Sequence, residues 1–132
     1  MTEKQNKALN KRYNVAAKYR GFVIQQFCDI ELMIDLVICR YFCDNINKSK
    51  ELLHRLVSDK LDFNTKKILL GYILHNHYTK FIEDNPKFLS DLTKAQEFRN
   101  VLAHRKVFTR KKSDLDTFDG DNVWFENPYC KE

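Results

Sequence analysis

An arginine, an amide and a histidine fall within the six residues Arg99-Asn100-Val101-Leu102-Ala103-His104, and no other stretch of the chain so plainly suggests chemistry. A guanidinium can hold the non-bridging oxygens of a phosphate through paired hydrogen bonds and stabilise the charge that grows on them. An imidazole titrates near neutral pH, so it can take up or return a proton during a reaction. The Asn100 amide both donates and accepts, and can orient the imidazole or the phosphate. These are the parts needed to help a ribose 2′-hydroxyl attack its own phosphate without a metal ion. The expected substrate is RNA, the expected product a 2′,3′-cyclic phosphate, and DNA, which lacks the nucleophile, should survive.

Spacing limits what one helix can do with these groups. Residues five apart on a continuous α-helix are roughly 140° apart around the axis and about 7.5 Å apart along it, so Arg99 and His104 do not meet as an i,i+4 pair would. Convergence requires a helix that ends or bends near His104, or a second copy of the segment across a two-fold axis.

Charge gathers around the same segment. The net charge of +5 divides into +5 over residues 1–20, −1 over 21–93, +6 over 94–112 and −5 over 113–132. Arg105, Lys106, Arg110, Lys111 and Lys112 follow the motif and are the candidate RNA-binding residues, since a local positive field attracts a polyanion at long range. The acidic stretch 113–132 could fold back over the basic segment and mask it.

The elements that must position the motif read as helices. With 132 residues, 43% hydrophobic and only three glycines and two prolines, the chain has the size and composition of one packed helical domain. Apolar side chains at Tyr19, Val23, Phe27, Ile30, Ile34, Val37 and Tyr41 recur in three- and four-residue steps and predict a long helix over about 15–42. A second stripe through Cys28, Leu32, Cys39 and Cys43 makes that helix apolar on two sides, so it needs two neighbours, one of which could be another subunit. Asn45-Ile46-Asn47 interrupts the pattern, and Leu52, Leu53, Leu56 and Val57 mark a short amphipathic helix. Asn64 or Thr65 can cap the next helix, which runs to the region of His77. Pro86 suits the first position of the last helix, whose buried face is Phe88, Leu89, Leu92, Ala95, Phe98, Val101 and Leu102. Beyond Lys106, Val107-Phe108-Thr109 and Val123-Trp124-Phe125 flank turn residues and predict a short β-hairpin or irregular tail.

Other chemistries find less support. The cysteines at 28, 39, 43 and 130 could form two disulfides by count, but three of them fall in one helical apolar segment, as buried free thiols do, so no disulfide is expected. Neither Cys39 and Cys43 nor His75 and His77 come with a CxxC pair, so no metal and no cofactor is expected. The apolar run 32–43 carries Asp35 and Arg40 and is too short to span a bilayer, and the polar N-terminus lacks the apolar centre of a signal peptide. A cytoplasmic protein without membrane contact is the expectation.

The string Arg99-Asn100-x-x-Ala103-His104 at the end of the last long helix resembles the HEPN family, whose members share an arginine and a histidine separated by four to six residues, often with a polar residue directly after the arginine. The likeness extends loosely over residues 15–106, through the order of helices and through Leu61-x-Phe63-x-x-Lys66. The resemblance implies an all-α bundle of four to five helices; the helical domain is expected over residues 1–112, and the acidic tail 113–132, which the family core does not explain, is expected to pack on the same domain. It also implies a homodimer and a metal-independent endoribonuclease that acts as a toxin or in phage defence, with an antitoxin protein as a possible partner. By position, Arg99 and His104 match the family's catalytic pair, Asn100 its polar neighbour, and Glu31 the acidic residue that often supports the site. Phe98-Arg99-Asn100-x-x-Ala103-His104 is also similar to mannitol operon repressor-like proteins, which implies a dimeric regulatory or binding protein that cuts nothing.

Overall fold

Thr2 and Gln5 set the start of the first helix by satisfying each other's backbone. The Gln5 amide donates to Thr2 Oγ1 at 3.2 Å and the Thr2 amide donates to Gln5 Oε1 at 3.0 Å, a reciprocal capping box. Helix α1 therefore runs over Glu3–Phe42, forty residues, and begins twelve residues before the apolar periodicity does. The computed structural model describes residues 2–104. Five further helices follow: α2 (Ile46–Leu52), α3 (Ser58–Lys60), α4 (Phe63–His77), α5 (Thr79–Asp84) and α6 (Phe88–His104). Among the described residues there is no strand, and the fold is all-α. The expected hairpin, the acidic tail and Arg105, Lys106, Arg110, Lys111 and Lys112 lie outside the described residues.

Local chemistry explains the boundaries. Asn45 caps α2, its Oδ1 accepting from the amides of Asn47 at 2.8 Å and Lys48 at 3.3 Å, so the residues that interrupt one helix begin the next. Between α2 and α3 the backbone widens into a π-helical stretch, Leu53–Val57. The predicted cap of α4 moves from Asn64 or Thr65 to Asp62, whose Oδ1 accepts from the Thr65 amide at 2.7 Å. That hydrogen bond holds the Asp62 carboxyl below its ordinary value, because it favours the charged form. Pro86 does not open the last helix; it lies in a turn with Lys87, and α6 starts at Phe88. Helix α5 has no counterpart in the sequence reading.

The described residues divide into two compact units, residues 2–26 with 96–104 and residues 27–95. The second unit owns a core of Phe27, Ile34, Ile38 and Cys39 from α1, Val57 from the π stretch, Phe63, Leu70, Ile73 and Leu74 from α4, and Leu92 from α6. The Phe27 and Phe63 rings sit 4.7 Å apart in a tilted pair. The buried face of α1 is turned from the predicted stripe: Ile38 and Cys39 are inside, whereas Ile30, Val37, Cys28 and Leu32 face outward. In the first unit Ala16 and Arg12 are buried on α1, and Val101 and Leu102 on α6. Phe98, expected inside, is exposed.

Candidate functional site

Val101 and Leu102, both buried, anchor the C-terminal turns of α6 and so fix how their polar neighbours point. Arg99 and Asn100 are half-buried beside them, and His104 is exposed at the last described residue. Helix α6 is continuous through His104. Asn100 and His104 are four apart and share a face, within reach of each other's side chains, while Arg99 lies roughly 140° around the axis from the imidazole. One copy of α6 thus puts the amide and the imidazole on one face and leaves the guanidinium on a different one.

Glu31, the expected supporting acid, stands in the second unit and is engaged by a lysine. Lys66 is completely buried, and its Nζ lies 2.8 Å from Glu31 Oε1, 3.0 Å from Asp35 Oδ1 and 3.4 Å from the carbonyl of Ser58, to which it donates. Burial alone pulls the ammonium toward neutrality, but the hydrogen bonds and charges of Glu31 and Asp35 outweigh it and hold the Lys66 value above the usual lysine range. Asp35 is pushed the other way from its partner's influence: burial raises its carboxyl further than Lys66 lowers it, and the charge of Glu31 adds to the rise. Burial also raises the Cys39 thiol, helped by the charges of Asp35 and Cys43, which makes it a poor nucleophile. In the sequence this lysine stands out only as the last position of the loose likeness Leu61-x-Phe63-x-x-Lys66. Its partners at 31 and 35 are one helical turn apart, which was the signal available.

Because folding raises the Lys66 value, the folded chain keeps a proton that the unfolded chain releases. The stabilisation is complete below 10.5, the unfolded value, and is lost as pH rises through the higher folded value. Urea denaturation on either side of that pH should show the midpoint falling in alkali.

A second polar group borders a shallow groove. Tyr41 Oη and His77 Nε2 are 2.6 Å apart, joining α1 to the end of α4. Beside them Met33, Leu36, Val37, Arg40 and Tyr78 line a depression of about 320 Å3 with Ile73 at its floor. Among the described residues no three metal-ligating side chains gather into a cluster, and no helix is long and apolar enough to cross a membrane. No family model matches the chain, and neither do the curated proteins or the solved structures with which it was compared.

Proposed function

We propose that this chain is a metal-independent endoribonuclease of the HEPN type, cytoplasmic, acting as a toxin or in phage defence. The observation that carries the reading is that Asn100 shares a helix face with an exposed His104 at a helix end where Val101 and Leu102 are buried. His104 takes the proton from the 2′-hydroxyl, Asn100 orients the imidazole, and Arg99 holds the phosphate oxygens as negative charge develops on them. Atoms balance simply: the 2′-oxygen bonds to phosphorus, the bond to the 5′-oxygen breaks, and the leaving oxygen regains a proton. Arg105, Lys106, Arg110, Lys111 and Lys112 would draw the strand in.

A homodimer completes the site in this reading, with Arg99 of one copy meeting His104 of the other. The second unit offers a surface for it. Ile30, Met33, Leu36 and Val37 on α1 are all at least 39% exposed and share one side of the helix, and monomeric proteins seldom leave so continuous an apolar face in water. Replacing Met33 and Leu36 with glutamate should halve the mass measured by light scattering and abolish cleavage together. A mass that is already monomeric in the unmodified protein would remove the shared site.

The second reading, a dimeric regulatory or binding protein similar to mannitol operon repressor-like proteins, draws on the divergence of Arg99 and His104 within one helix. Labelled RNA and DNA incubated in EDTA distinguish the two. Cleavage confined to RNA supports the nuclease, while binding without cleavage, insensitive to substitution of Arg99 or His104, supports the regulator. An antitoxin partner would be sought by asking which protein suppresses that cleavage.

A further inference from the structure

The first four turns of α1 carry a track of lysines that the proposed chemistry does not use. At 100° per residue, Lys4, Lys7, Lys11 and Lys18 fall within an arc of roughly 60°, with Asn14 at the intervening position, and they cover about 21 Å of helix. All four are exposed. The buried residues Arg12 and Ala16 lie on the other side of the helix, so the track points outward. Lys4, Lys7 and Lys18 form no ion pair among the described residues, and Glu3 is the only carboxylate in residues 2–26. One turn beyond Lys18 on the same face stands Phe22, 64% exposed, with Tyr19, 46% exposed, at its flank.

A lysine row meant only for solubility would tolerate interspersed carboxylates, and the rest of this chain has them in plenty. Here one sign of charge persists along one face and ends at bare aromatic rings. That combination matches a single-stranded nucleic acid: ammonium groups follow successive phosphates, and an unpaired base, which every nucleotide can offer, stacks on a ring face. An extended strand follows a straight row better than a compact anion does, because a compact anion can meet only one or two of the four ammoniums at once.

We infer that the Lys4–Lys7–Lys11–Lys18 face of α1, with Phe22 at its end, is a binding track for single-stranded nucleic acid. It rests on the ribonuclease reading only in taking RNA as the strand it meets. The contacts are to phosphates and ring faces, so the track does not distinguish RNA from DNA; in that reading, selection belongs to the 2′-hydroxyl at the reacting site.

The test uses the full chain and two labelled probes, an oligouridine with the His104→Ala protein, so that it is not consumed, and an oligodeoxythymidine with the unmodified protein. Binding is followed by fluorescence anisotropy over a range of salt. The triple variant Lys4→Gln, Lys7→Gln, Lys18→Gln keeps good helix formers at exposed positions, so circular dichroism should be unchanged. It should bind both probes about tenfold more weakly, and the slope of log Kd against log salt should fall by about 2, the release expected for three single-strand phosphates. Phe22→Ala should weaken both probes without changing that slope. Unchanged affinity and slope in the triple variant would overturn the inference. So would a chain that binds phosphatidylserine vesicles and neither oligonucleotide, which would mark the face as a lipid contact. Binding without cleavage would leave the track standing and remove the nuclease, and cleavage with an unaltered triple variant would do the reverse.

Discussion

Arg99→Ala and His104→Ala should each abolish RNA cleavage in EDTA while leaving the helical circular dichroism unchanged. Loss of a positioned acid–base group lowers a rate by about 10²–10⁴-fold, and loss of a group that stabilises transition-state charge by about 10²–10³-fold. Both changes are expected in kcat, since the imidazole and guanidinium act on charge and protons that move only during reaction. His104 is exposed, so replacing it removes no packing. Arg99 is half-buried, and Arg99→Lys is the informative companion: it keeps the charge, loses the two-pronged grip and should remain strongly impaired. If the two alanine variants are mixed in the proposed dimer, one of the two shared sites regains both groups, and part of the activity should return. Full activity in either variant alone would end the catalytic proposal.

The largest effect on stability is expected at Lys66. Its side chain is 1% exposed and holds Asp35, itself 5% exposed, together with Glu31. Lys66→Met keeps the volume and removes the ammonium, stranding a buried carboxylate, which costs about 3–5 kcal/mol. Marginal stability makes that a large fraction of the whole, since natural domains total about 5–15 kcal/mol. Adding Asp35→Leu should return much of the loss, because an apolar pair leaves no orphaned charge behind. Urea denaturation of the single and double variants measures both. A Lys66→Met protein as stable as the original would mean that the triad contributes nothing to the core.

Particular residues show what could be read from the chain alone. Helices α1, α4 and α6 follow from apolar side chains at helical spacing, and the all-α class follows from them. The start of α1 was missed although its signal was present: Thr2 and Gln5 form a capping box that an apolar pattern cannot reveal. Asp62, Asn64 and Thr65 lie within four residues and can all cap, and only the backbone decides that Asp62 does. Facing was harder. Over forty residues a small error in helical pitch accumulates, so the predicted stripe of α1 included Ile30 and Val37, which are exposed, and left out Ile38 and the charged Asp35, which are buried. The candidate site is proposed from a motif alone, because Arg99, Asn100 and His104 lie close in sequence. That Asn100 and His104 share a face follows from helical spacing, whereas Glu31 and Asp35 show in the sequence as a one-turn pair but Lys66, 35 residues from Glu31, does not show as the group that meets them.

The division into two units sets the main core apart from the candidate site. The ten buried side chains of the main core and the Lys66 triad belong to residues 27–95, whereas Arg99, Asn100 and His104 belong to the other unit. Substitutions at Arg99, Asn100 and His104 therefore touch none of the ten side chains of the main core.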